Sequence, residues 1–189
     1  YNRYANLNIQ TPNNAGDSTD LGTIQVCDTV ELGDNEFTLN GGGFNNRTFT
    51  FSSDSTVAQV YGYFDPTDSL TVIWMYQIFP PDTMWFWFTF KGTGMGTPSD
   101  ITMYLYFNSS YYLAAQGLPN TTTTANVTNY SGIGGLIEGT FSGTLAQFLG
   151  GTGSVNLSNG KFSVLRRIAG TQSEKRQRDK IPIEIRNKL

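Results

Sequence analysis

Five glutamates are the side chains of this sequence best suited to acid–base work: Glu31, Glu36, Glu138, Glu174 and Glu184. Glycoside cleavage needs two carboxyl groups roughly 5 to 10 Å apart in a cleft. Glu138 lies on an alternating stretch beside glycines and is the best single candidate, but spacing selects no partner for it. The chain has no histidine. That removes the commonest general base, the usual triad member and the usual metal ligand. The one cysteine, Cys27, can form neither an internal disulfide nor a thiolate cluster. With no histidine to activate it, Cys27 reads as a small buried strand residue. Asp17 with Asp20, and Asp65 with Asp68, could place carboxylates in turns. Neither segment is a complete calcium loop, and turn aspartates commonly cap backbone groups. Gly92, Gly94 and Gly96 alternate, but no helix pattern follows, so the context of a dinucleotide site is missing. These residues predict no catalytic centre, no metal and no cofactor.

Aromatic residues carry the stronger signal. Residues 71–90 read TVIWMYQIFPPDTMWFWFTF, two apolar runs around Pro80-Pro81-Asp82-Thr83. Proline presets a turn dihedral and aspartate bonds locally to the backbone, so the stretch predicts a β-hairpin. Pairing Phe79 with Met84 puts Ile73, Met75, Gln77 and Phe79 on one face with Met84, Phe86, Phe88 and Phe90. The opposite face gathers Trp74, Tyr76 and Ile78 with Trp85, Trp87 and Thr89. Both faces need a cover. Trp74, Tyr76, Trp85 and Trp87 could fill the second half of a core, stack on sugar rings or anchor a protein contact.

The elements around this hairpin are strands. Alternation appears at 23–26, 36–39, 47–52 (RTFTFS), 57–64 (VAQVYGYF), 101–107 (ITMYLYF) and 136–146 (LIEGTFSGTLA). A further short strand at 6–10 lies in a polar lead-in. Asn159-Gly160 predicts a hairpin turn between strands at 154–157 and 161–166. Residues 108–129 are rich in Asn and Thr and predict a long loop. A short helical turn is expected at 111–117 or 145–149. About ten strands at this spacing, with no amphipathic helix, predict an all-β chain. The expected fold is an antiparallel β-sandwich, jelly-roll or Ig-like, with a basic C-terminal extension. The boundaries are a lead-in at 1–19, the sandwich at 20–167, and a linker plus final strand at 168–189.

Charge divides the same way. Residues 1–160 carry 3 basic and 12 acidic side chains, whereas 161–189 carry 9 basic and 3 acidic. The basic segment could lie on its own acidic body, or dock on an acidic partner, a membrane surface or a second copy. Near its end Ile181, Ile183 and Ile185 alternate with Pro, Glu and Arg, a strand pattern suited to strand addition between molecules. Nucleic-acid binding is not expected, because the aromatic region is acidic. No apolar run of about 20 residues could form a transmembrane helix.

Two motifs resemble a known group. LIEGTFSGTL at 136–145, followed by VNLSNGKFSV at 155–164, resembles the closing strands of small exported surface β-sandwich proteins and lipoproteins of Bacteroidota-type bacteria. The present chain continues past that motif and shows no lipidated cysteine at its start. Asp followed by Ser or Thr recurs at Ser18, Thr29, Ser55, Ser69 and Thr83, and resembles the O-glycosylation motif of exported proteins in those bacteria. The resemblance implies export and a sandwich fold but no activity. Six Asn-x-Ser/Thr sequons, beginning at Asn46, would matter only in a eukaryotic secretory route. The function expected is that of a non-enzymatic exported cell-surface protein, a structural or accessory subunit working by protein contact or self-assembly. The alternative is a carbohydrate-binding module using the Trp/Tyr face.

Overall fold

In the 71–90 hairpin every second residue faces the protein core. Leu70–Phe79 and Asp82–Lys91 pair antiparallel, with Ile73 opposite Phe88, Met75 opposite Phe86 and Gln77 opposite Met84. Ile73, Met75, Met84, Phe86, Phe88 and Phe90 are fully buried. Each such side chain contributes about 1.5–3 kcal/mol on leaving water. The register differs from the expected one. Phe79 pairs with Asp82, so only Pro80 and Pro81 form the tip. Asp82 and Thr83 carry backbone N–H groups and can join the ladder, which proline cannot do. The shift is two residues, so the assignment of side chains to faces is unchanged.

The computed structural model describes residues 32–52, 58–149 and 151–168. The chain divides into two units, 1–31 and 32–189, and all described residues belong to the second. The expected strands at 6–10 and 23–26, Cys27, and the strand containing Ile181, Ile183 and Ile185 lie outside the described residues. Ten strands are described, numbered β1 (Glu36–Gly41), β2 (Phe44–Thr50), β3 (Ala58–Asp65), β4 (Leu70–Phe79), β5 (Asp82–Lys91), β6 (Ser99–Phe107), β7 (Ser110–Ala115), β8 (Thr122–Tyr130), β9 (Leu136–Leu149) and β10 (Ser154–Arg167). No helix occurs among them.

The result is a mostly antiparallel β-sandwich. One half is the meander β3-β4-β5-β6-β7, and the other is built on β2, β1, β10, β9 and β8. Phe37 of β1 meets Phe86 of β5 at 4.9 Å between ring centroids, and Phe141 of β9 stacks on Phe86 at 5.0 Å. The core between the halves is therefore an interlocked phenylalanine cluster. Two long strands join the halves by changing partners. β9 pairs with β8 along 137–144 and then with β7 at Ala146 and Gln147. β10 pairs with β1 along 155–161 and then, in parallel, with β3 at Arg166 and Arg167.

The β10 exchange leaves a gap in the ladder at Ser163, and a side chain fills it. Asn35 is buried, and its Oδ1 accepts from Ser163 N at 2.9 Å while its Nδ2 donates to Ser163 O at 3.1 Å. An amide side chain thus takes the place of a strand residue, satisfying both backbone groups of Ser163.

Three expectations fail in this region of the chain. Residues 108–129 are not a loop but contain β7 and β8. Asn108 and Ser109 both have positive φ, the geometry of a two-residue hairpin turn between β6 and β7. Neither proposed helical turn forms, because 111–115 and 145–149 are strand. Asn159-Gly160 is not a hairpin turn but an irregularity inside one continuous β10, with Asn159 at φ 53°. A Cβ on Gly160 would lie 2.5 Å from Phe141 O, so the close approach of β9 requires glycine.

Replacing Asn35 by Ala leaves the Ser163 N–H and C=O without partners. The expected loss is about 1–3 kcal/mol, read as a lower urea midpoint at unchanged m-value.

Candidate functional site

Alternation along β4 and β5 fixes what lies on the outer face of the meander, away from the core. Antiparallel register then extends that pattern across all five strands as transverse rows. The central row is Tyr61, Trp74, Trp87, Tyr104 and Leu113. These residues form a second apolar cluster and retain between 2% and 8% of their exposure. Tyr61 stacks on Trp74 at 6.5 Å. On one side runs the half-buried row Tyr76, Trp85, Tyr106 and Tyr111, with successive ring centroids at 6.3, 5.0 and 4.8 Å. On the other side runs Tyr63, Val72, Thr89, Thr102 and Ala115.

All four binding candidates, Trp74, Tyr76, Trp85 and Trp87, therefore share this outer face and none fills the space between the halves. They belong to two different rows. Trp74 and Trp87 are buried, while Tyr76 and Trp85 are half-buried. Sequence reasoning missed Tyr61, Tyr63, Tyr104, Tyr106 and Tyr111. The signal was present, since VAQVYGYF and ITMYLYF each place tyrosines two residues apart.

The outer face is short of hydrogen bonds. Nε1 of Trp74, Trp85 and Trp87 and the hydroxyl of Tyr104 are buried without a partner among the described residues. A buried donor left unmet costs about 1–3 kcal/mol, so four on one face call for an explanation. Burial, then the neighbouring Tyr111 and Tyr106, push the Tyr104 phenol far above the usual tyrosine range. Tyr111 shifts the same way, through burial and Tyr106.

The opposite half presents a different outer surface. Thr38 and Thr48 share a hydrogen bond of 2.9 Å, Thr124 and Ser142 one of 2.7 Å, and Thr144 donates to Asn156 at 3.0 Å. Lys161 meets Glu36 at 2.8 Å, and this contact raises the lysine pKa. Thr38, Thr48, Thr124, Ser142, Glu36 and Lys161 border an open groove of about 830 Å³.

Glu138 is tied on both oxygens. Ser163 Oγ donates to Oε1 at 2.9 Å, and Asn129 Nδ2 donates to Oε2 at 2.8 Å. Gly33 N donates to the same Ser163 oxygen. The carboxylate thus links β8, β9, β10 and the entry to β1. No group of three or more His, Cys, Asp or Glu side chains suited to a metal forms among the described residues. No described helix is long and apolar enough to cross a membrane. Of the glycosylation candidates, Ser69 lies in the exposed turn before β4 and Thr83 is half-buried at the start of β5. Ser18, Thr29 and Ser55 lie outside the described residues. Comparison with protein-family models, curated proteins and solved structures gives no match.

Because folding holds Tyr104 neutral, its pKa predicts alkaline instability. Above about pH 10 the unfolded chain releases this proton while the folded one keeps it. Stability then falls by up to about 1.4 kcal/mol per pH unit from this one group. Urea midpoints across that range should fall more steeply for the native sequence than for Tyr104→Phe.

Proposed function

We propose that this is a non-enzymatic exported cell-surface protein that works as a structural or accessory subunit through protein contact. The observation that carries the reading is the outer face of the β3–β7 meander. Its inner face already fills the core, yet the outer face is aromatic rather than polar and buries four donors with no partner among the described residues. An ordinary solvated sandwich face looks like the Thr/Ser/Asn surface of the opposite half. Tyrosine and tryptophan in a partly desolvated patch are the composition of interface anchors. The half-buried row Tyr76, Trp85, Tyr106 and Tyr111 is the contact surface. Export is supported by the resemblance of the 136–164 motifs and by the recurring Asp-Ser/Thr pairs.

Light scattering on the full chain tests the self-assembly version. The expected result is an oligomer that Tyr106→Arg reduces to a monomer and that survives removal of residues 168–189. Dissociation on removing that segment would transfer the contact to the strand Ile181, Ile183 and Ile185. A full-length monomer, unchanged by Tyr106→Arg, would count against self-assembly.

A carbohydrate-binding module is the second reading, and one observation favours it. A pocket of about 570 Å³ opens on the other flank of the same face, with Trp87 in its wall.

A further inference from the structure

We infer that the segment 169–189 folds back over the outer face of its own meander, laying Ile181, Ile183 and Ile185 against the central row at Trp74 and Trp87. The inference goes beyond the protein-contact reading and does not depend on it.

The face is already covered. Trp74, Trp87 and Tyr104 keep 7%, 8% and 3% of their exposure, and their indole nitrogens and phenol oxygen have almost no accessible surface. Side chains stand roughly perpendicular to a sheet, so neighbours on the same face shield a ring's flanks and leave its outer edge open. Burying that edge takes a further layer. The described apolar residues that pack on this row are Tyr63, Tyr76, Tyr106 and Tyr111 of the same face, with Leu118 and Phe148 from beyond it. Leu118 follows β7, and Phe148 lies on β9 where that strand pairs with β7. Both reach the face at its β7 edge. Among the described residues, no apolar side chain from outside the face packs on it from the β3 side.

The segment 169–189 arrives on the β3 side. β10 runs parallel to β3, with Arg166 paired to Gly62 and Arg167 to Tyr63. Arg167 already lays its guanidinium over the Tyr61 ring at 4.8 Å, so β10 ends on the outer face. Ile168 follows and is exposed. Crossing from β3 to β7 covers about 19 Å, or about six extended residues, and 169–189 is several times that length.

Charge separates this segment from residues 1–31, the other stretch long enough to cover the face. Asp65, Asp68 and Asp100 stand at the end of the face where the chain leaves β10, with Lys91 bridged to Asp100 at 3.4 Å. Residues 169–189 carry 6 basic and 3 acidic side chains, whereas residues 1–31 carry 1 basic and 4 acidic. Lys175, Arg176, Arg178 and Lys180 precede the isoleucines and suit an acidic flank, which residues 1–31 would oppose. Ile181, Ile183 and Ile185 alternate, so an extended chain turns all three to one side. Held in this way, the isoleucine strand is satisfied within its own chain and is not free for strand addition between molecules.

The test uses the full chain and its tryptophan emission, which reports on this face alone because all three tryptophans lie on it. A nitroxide on Glu184→Cys, in a Cys27→Ser background, keeps the isoleucines and quenches tryptophan only at close range. It should remove most of the emission, to the same extent at high and low protein concentration. A nitroxide on Thr48→Cys of the opposite half should leave the emission intact. Ile181→Asp, Ile183→Asp and Ile185→Asp together should shift the emission of the unlabelled chain to the red and increase its quenching by acrylamide. Emission untouched by the label at position 184, or unshifted by the three aspartates, overturns the inference. Quenching that vanishes on dilution gives the segment to a second copy and overturns it too. Quenching from a label on the native Cys27, with none from position 184, gives the face to residues 1–31 and overturns it equally. None of these outcomes decides the Tyr106→Arg test of the contact row, so the two readings fail separately.

Discussion

Strict alternation in one hairpin is the constraint from which the rest of this fold descends. β4 and β5 carry large apolar or aromatic side chains on both parities, so neither face of the hairpin can be left to water cheaply. One face is covered by Phe37, Phe141 and Phe162 from the other half. The second face recruits its neighbours sideways, because strands on either flank place tyrosines at matching positions. Tyr61 extends the tryptophan row on the β3 side and Tyr104 extends it on the β6 side. The outer surface of the meander thus carries a second apolar cluster.

The closing of the two halves depends on a smaller device. A strand that changes partners must pass a point where neither neighbour is in register, and buried backbone groups there cannot go unpaired. At Ser163 the Asn35 amide meets both groups at once. Ser163 in turn donates a hydrogen bond from its hydroxyl to Glu138, which also accepts from Asn129. The residue that looked most like an acid catalyst is explained by this chain of bonds. Its two oxygens fix β8, β9 and β10 relative to one another. Arg166 adds to the same corner, donating to Ser131 O at 2.8 Å and lying over the Tyr130 ring at 4.9 Å.

How much of this was legible in the sequence follows from range. Face assignment in the hairpin was readable because it depends only on parity, and an error of two residues in register does not alter parity. The sandwich class was readable from short alternating runs and the lack of helical periodicity. β8 was not, because TTTTANVTN shows only Ala125 and Val127 to the core and its threonines look like a loop. Threonine is β-branched and suits a strand, so polarity masked propensity there. Asn159-Gly160 misled for the opposite reason. Its local preference for positive φ was expressed, but as a bulge inside β10, since Phe141 of β9 packs against the glycine. The transverse rows were beyond reach, because they need the relative register of five strands at once.

The two outer faces show that the aromatic surface is not a by-product of composition. The chain has ample Thr, Ser and Asn, and uses them on β1, β8, β9 and β10 to make a face whose hydroxyls satisfy one another. Nothing in strand geometry prevents the same solution on the meander, where β-branched threonine fits equally well. At Thr89 and Thr102 the meander does place hydroxyls, yet they interrupt an apolar face and line a cavity rather than bonding each other across the strands. A sequence that buries three indole donors and a phenol hydroxyl with no partner among the described residues on a single surface carries a cost in folding free energy. The opposite face demonstrates that the cost is avoidable within the same strand geometry.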